Sequence, residues 1–197
     1  MPLLRGPLVL VLVLVLVLLD AADAQLPFIG RCPRPPILKH FQVHPYLGTW
    51  YEHEKFFTFF DLGGKCVHSI YTDQGYGRIG VENQQIKVLT GKMNSIVGVA
   101  RVVDPHQSAR LRVVFSNTPN FGNGANYNVL ETDYHNYAVV WSCKDYKLFN
   151  TQFLRILTRK RHPDAYMIKD VKNRLEYYGL KTSKLKTTNQ RDCPYGY

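Results

Sequence analysis

Between residues 65 and 158 the chain is written as short β-prone runs separated by turn residues, and no helical period occurs among them. Residues 66–71 end at Asp73-Gln74-Gly75. Residues 77–84 and 86–89 follow, divided at the polar pair Asn83-Gln84. The apolar, β-branched run 96–103 stops at Asp104-Pro105, and 110–115 alternates until Asn117-Thr118-Pro119-Asn120 breaks it. Residues 127–130 and 137–143 flank a hairpin-like turn, and 152–158 closes the series. With a further aromatic run at 50–57, about eight strands with short connections predict an antiparallel sandwich or a closed barrel.

The period then changes. Ala165, Ile168, Val171, Leu175 and Tyr178 recur three to four residues apart over 164–178, which predicts one amphipathic helix. His162-Pro163 supplies its start and Gly179 its C′ position. A single apolar stripe places the helix outside the sheet.

Ahead of the first strand, Cys32-Pro33-Arg34-Pro35-Pro36 is a stiff arm that can be neither helix nor central strand. Gly48 allows a sharp turn into the strand led by Trp50. Residues 1–24 read as a secretory signal, with Arg5 in a short basic start, a Leu/Val run over 8–19 and an Ala22-Asp23-Ala24 cleavage site. The run falls short of the roughly 20 apolar residues of a membrane span. Residues 25–197 then form one secreted domain.

Cys32, Cys66, Cys143 and Cys193 all lie in that part, and an even count in an oxidising compartment implies two disulfides with three possible connectivities. The formal charge of +10 favours anionic surfaces, but the basic residues are scattered rather than set on one recognition motif, which argues against nucleic acid. Gly75-Tyr76-Gly77-Arg78-Ile79-Gly80 matches G-x-G-x-x-G, yet strand rather than helix follows, so a hairpin is the expected reading. The seven histidines show no ligand spacing and no C-x-x-C occurs, so no metal is expected.

Three short motifs, in order and on the right elements, carry a resemblance. Gly48-Thr49-Trp50 matches a G-x-W at the first strand, Thr132-Asp133-Tyr134 a T-D-Y loop, and Arg159 an arginine after the last strand. Together with the Cys32-Pro33-Arg34-Pro35-Pro36 arm, Tyr46-Leu47-Gly48 and Tyr137 through Cys143, they make the chain similar to the lipocalin family. The likeness is to its apolipoprotein D-like branch, with similarity to arthropod pigment-binding members.

The resemblance implies an all-β fold: an eight-stranded antiparallel up-and-down barrel with one C-terminal helix packed outside. It implies that Trp50 and Arg159 close one end, with Gly48, Thr132, Asp133 and Tyr134 as scaffold. It also implies the bridges Cys32–Cys143 and Cys66–Cys193. Carried over residue by residue, it brings Tyr46, Tyr71, Phe115, Asn128, Leu130, Arg155 and Leu157 to a ligand pocket. Two of these, Asn128 and Arg155, depart from the branch's pattern, which has tryptophans there. Arg155 is expected either to pair with a ligand carboxylate or to find a protein carboxylate or the barrel mouth.

The implied function is extracellular, non-catalytic binding and transport of a small hydrophobic ligand such as a fatty acid, sterol, steroid or retinoid-like lipid. A bilin or carotenoid pigment carrier is the first alternative. A prostaglandin isomerase would need a free thiol, and a lipid-hydroperoxide scavenger would lean on Met93. Phe56, Phe57, Phe59 and Phe60 suggest a membrane, lipoprotein or subunit contact at the mouth, unless half of them face the cavity. A receptor and a monomeric or weakly homo-oligomeric state are compatible with this reading.

Overall fold

The computed structural model describes residues 27–58, 63–116 and 124–194. The signal assigned to residues 1–24, and Phe59 and Phe60, lie outside the described residues.

The described residues begin with β1 (Pro27–Ile29), cross the proline arm and make a one-turn helix α1 (Val43–Tyr46). There follow β2 (Gly48–Phe56), β3 (Gly64–Asp73), β4 (Arg78–Lys87), β5 (Met93–Val102), β6 (Arg110–Phe115), β7 (Tyr127–Thr132), β8 (Tyr137–Asp145) and β9 (Phe149–Thr158). Each pairs antiparallel with the next, and β9 returns to pair with β2. The eight strands therefore close into an up-and-down barrel, which leaves no free edge among them. Two short strands add to it: β1 pairs with the start of β9, and β10 (Leu185–Thr187) pairs with the end of β2.

Helix α2 (Ala165–Tyr177) lies outside, as its single stripe requires. Asp164 caps it by accepting from Met167 N–H at 2.8 Å. At the other end Leu180 N–H bonds Leu175 C=O and Gly179 N–H bonds Glu176 C=O, the paired closure of a Schellman motif. Ile168, Val171 and Leu175 are buried against the outward side chains Val139, Trp141, Leu154 and Ile156 of β8 and β9. Burial of each such residue contributes about 1.5–3 kcal/mol.

One expected division disappears. The separate strand over 86–89 does not exist: β4 continues to Lys87, and residues 88–92 form the turn. Asn83 and Gln84 are ordinary strand residues, polar because of what they face. Phe56 is not a surface contact either. It is buried, 5.2 Å from the Phe28 ring, in the layer beneath α2.

The disulfides Cys32–Cys143 and Cys66–Cys193 are both present. The first ties the N-terminal arm to β8. The second closes a seam. β2 and β3 pair only from Gly48 to Tyr51, and beyond that point the C-terminal segment enters between them. Gln190 donates to the carbonyls of both Glu52 and Val67, and Cys66 N–H donates to Asn189 C=O at 2.8 Å. Cys66 sits in a β3 bulge at φ 59°, which turns its sulfur toward the tail.

Candidate functional site: a cavity inside the barrel

One end of the barrel is sealed. Trp50 is fully buried there, and its indole N–H donates to Tyr46 C=O at 2.7 Å. The Arg159 guanidinium lies over the indole, its carbon 3.8 Å from the ring centroid. Its N–H groups donate to the carbonyls of Tyr134, Thr49 and Pro45, at 2.9–3.0 Å. Gly48 is needed at this crossing: its φ is +93°, and a Cβ would lie 3.4 Å from Arg159 Nη1.

The Thr132-Asp133-Tyr134 loop covers the same end. Asp133 Oδ1 accepts the backbone N–H groups of His135, Asn136 and Tyr137. Burial pushes its pKa up, but these bonds and that from the Asn136 side chain outweigh it, so the net displacement is downward. Tyr134 Oη accepts from Gln42 N–H, joining the loop to the arm.

The opposite end is open, and between the two lies a cavity of about 520 Å³. Its apolar wall includes Val81, Val113, Phe115, Val140, Phe153 and Leu157, and Lys144 and Thr151 stand toward the mouth. Phe115 can lie across β5 because Gly98 has no side chain; a Cβ there would come 2.7 Å from the Phe115 ring.

Toward the sealed end, three phenols meet. Tyr127 Oη is 2.7 Å from Tyr46 Oη and 2.8 Å from Tyr71 Oη. Burial raises the pKa of all three above the usual tyrosine value, so they are neutral. Ser69 Oγ, beside Tyr71, donates to Asn83 Oδ1 at 2.7 Å. Tyr71, Tyr127, Ser69 and Asn83 all face the cavity, while Tyr46 supports them from below.

The wall also holds a buried ionic group. Glu52 is 1 % exposed. One carboxylate oxygen lies 2.8 Å from both Lys55 Nζ and Thr188 Oγ1, and the other 3.0 Å from Arg155 Nε. The Arg155 guanidinium rests 4.5 Å from the Phe153 centroid. Of the two fates expected for Arg155, the protein carboxylate is the one seen.

Of the seven residues expected at the pocket, Tyr71, Phe115, Arg155 and Leu157 line the cavity and Tyr46 lies under its floor. Asn128 and Leu130 require correction, because both point outward. Asn128 sits opposite Trp141 and donates to its carbonyl at 3.0 Å, and Leu130 packs in the layer beneath α2. The inward residues of β7 are Tyr127 and Val129. A bulge between Val129 and Glu131 inserts one residue, so counting by twos back from the Thr132 loop lands on the wrong face. Tyr127, Asn83, Asn126, Ser142 and Glu52 were not anticipated. Alternation along β7 and β8, read forward from Tyr127 and from Ala138, is the signal that reveals Tyr127 and Ser142.

Of the glycine-rich Gly75–Gly80 stretch, Gly75–Gly77 lie in the turn between β3 and β4, and Arg78–Gly80 begin β4. Among the described residues no group of three or more His, Cys, Asp or Glu could hold a metal ion. Met93 is half-exposed at the start of β5, on the hairpin at the open end.

This closed barrel, plugged by Trp50 under Arg159, is matched by known proteins. The lipocalin-like domain family covers residues 41–190 of the chain. The chain is a lipocalin. It is 36 % identical to apolipoprotein D of Macaca fascicularis, over 95 % of this chain and 97 % of that protein. The bilin-binding protein of Pieris brassicae is 28 % identical, over 73 % of this chain and 75 % of its own. Among solved structures, lobster apocrustacyanin A1 superposes with a TM-score of 0.73 at 24 % identity, covering 86 % of this lipocalin and 94 % of that chain. That last likeness speaks for the barrel alone.

Proposed function

We propose that this lipocalin binds and carries a small hydrophobic molecule in the barrel cavity. The observation that carries the reading is the space of about 520 Å³, sealed at one end, open at the other and walled by apolar and aromatic side chains interleaved with polar ones. Its size falls in the usual range for small-molecule sites. Affinity comes from apolar burial, at about 25 cal/mol per Å² before the costs of association. A hydrogen-bonded barrel with two disulfides keeps those costs low.

The reading is non-catalytic and extracellular, with residues 1–24 removed as a secretory signal. Both disulfides consume the thiols that an isomerase chemistry would need, since the four cysteines are all paired. The rim suits loading from a lipid surface. Leu89, Ile29 and Leu148 are almost fully exposed on the 88–92 turn, on β1 and on the β8–β9 hairpin, with Lys87, Lys92, Arg31 and Lys147 among them.

The similarity to a bilin-binding protein supports a second reading, a pigment cargo. One experiment tests both. Protein purified from its natural source is examined by absorption spectroscopy, and its organic extract by mass spectrometry. A colourless protein that yields a stoichiometric lipid supports the first reading, and visible absorption that leaves with the extract supports the second. An empty extract from protein that also fails to take up any hydrophobic probe would refute both.

A further inference from the structure

The basic residues are scattered along the sequence, but strand register gathers several of them. Arg78 on β4 is paired with Arg101 on β5, and Arg101 in turn with Arg112 on β6. Their chain neighbours Ile79, Ala100 and Leu111 point into the barrel, so the three arginines stand in one row on its outer face. Arg110 adds a fourth in the next row, opposite Val103, whose N–H donates to the Arg110 carbonyl at 2.9 Å. Helix α2 packs on β8 and β9, away from this face.

Like charges directly opposite each other across strands are destabilising, and here two such pairs run in succession. Among the described residues the side chains of Arg101 and Arg110 make no hydrogen bond or ion pair, and Arg78 reaches only the Gln74 carbonyl, at 3.5 Å, and the Tyr76 ring. The nearest acids in the chain are engaged otherwise. Asp73 and Asp104, in the flanking turns, accept from the backbone N–H groups of Gly75 and His106, and Glu82 accepts from the Gln84 side chain. Beside the row, Gly80, Val99 and Val114 lie opposite one another as a low, uncharged floor. The face is about 10 Å wide across three strands and about 20 Å long from residue 97 to 103. That is well under the roughly 800 Å² per partner of a stable protein interface, and it suits a narrow chain laid along it.

We propose that this outer face of β4–β6 binds a sulfated polysaccharide, with the arginines taking its sulfate groups. All four cations are arginine, whose planar fork matches two oxygens of one oxyanion, and the repeated charge along such a chain matches a row better than a single ion does. β2 begins at the sealed end, so by antiparallel order β4 and β6 begin, and β5 ends, at that end too. A polysaccharide bound there leaves the open end of the cavity free to exchange its cargo. The inference does not depend on what the cavity carries.

The test is heparin binding by the wild-type protein and by two double variants of equal net charge. Arg101→Gln with Arg110→Gln removes two cations from the face, and Lys181→Gln with Lys184→Gln removes two from the segment after α2; all four side chains are exposed. At about 0.15 M salt the arginine variant should bind heparin roughly tenfold or more weakly, and the lysine variant within about twofold of wild type. Wild-type affinity should fall as salt rises, and less steeply in the arginine variant. Desulfated heparin, which keeps its carboxylates, should not compete, and this arm needs no variant. Unfolding midpoints show that the variants remain folded. Equal losses in the two variants would overturn the proposal, because net charge alone would then explain the binding. Competition by desulfated heparin as strong as by heparin would overturn it as well. If the wild-type protein bound phosphatidylserine vesicles through these arginines and did not bind heparin, the face would belong to an anionic membrane and the proposal would fall.

Discussion

The Arg159 guanidinium carbon lies 3.8 Å from the centroid of Trp50, and its N–H groups satisfy three backbone carbonyls from α1, β2 and the Thr132 loop. One side chain thus joins three separate segments over the plug. Arg159→Met keeps the stem but loses the cation–π contact and the three bonds. It should cost about 2–4 kcal/mol in urea unfolding. Arg159→Lys keeps the charge without the planar fork and should fall between the two. A loss below about 0.5 kcal/mol would mean the plug holds without the arginine.

Leu130 and Leu157 separate stability from binding. Leu130→Ala opens a hole beneath α2 and should destabilise by about 2–4 kcal/mol while leaving probe affinity unchanged. Leu157→Ala enlarges the cavity and should change probe affinity as well. If Leu130→Ala altered affinity at unchanged fold, the outward placement would be wrong.

The Glu52 group makes an ordering testable. Glu52→Gln leaves Lys55 and Arg155 without the carboxylate they share, and should cost about 3–5 kcal/mol. Arg155→Leu leaves Glu52 bonded to Lys55 and Thr188 and should cost less. Chemical denaturation of both variants decides; the reverse order would contradict the assignment of Glu52 as the hub.

Asp133 gives a pH dependence. Its pKa is lower in the folded chain than the unfolded value of about 3.9, so the folded state prefers the carboxylate. The stabilisation is complete above about pH 5 and is lost as pH falls through the folded pKa. Asp133→Asn should therefore be less stable than wild type at neutral pH, with the gap closing in acid. Unfolding midpoints across pH 2–7 would show it, and a gap independent of pH would contradict it.

The antiparallel strands were legible because each buries one face and its residues alternate accordingly, whereas closure into a barrel rather than a sandwich followed only from the resemblance carried by the three motifs. The helix was legible to within a residue at each end, since Asp164 and Gly179 act locally. Misreadings arose where local pattern and tertiary role part. Asn83 and Gln84 looked like a break because a polar residue facing the cavity, next to a polar residue on the outer face, resembles a turn. Leu130 and Asn128 were expected inside from the resemblance alone, and a one-residue bulge in β7, which leaves no mark in composition, accompanies their outward placement. Glu52 could not be read at all: its partners come from residues 55, 155 and 188, and only the closed barrel brings them together.

The most direct test of the account is to fill the cavity and ask whether binding goes with it. Ser142 lines the cavity on β8, one residue before the Cys143 bridge, so Ser142→Trp should occupy the space without disturbing the outer layer beneath α2. Titration with a fluorescent hydrophobic probe should show one site in the wild-type protein. In Ser142→Trp, at matched unfolding midpoint, that site should weaken by roughly tenfold or more. Equal affinity in the two proteins would place the hydrophobic ligand outside the barrel and contradict the carrier reading.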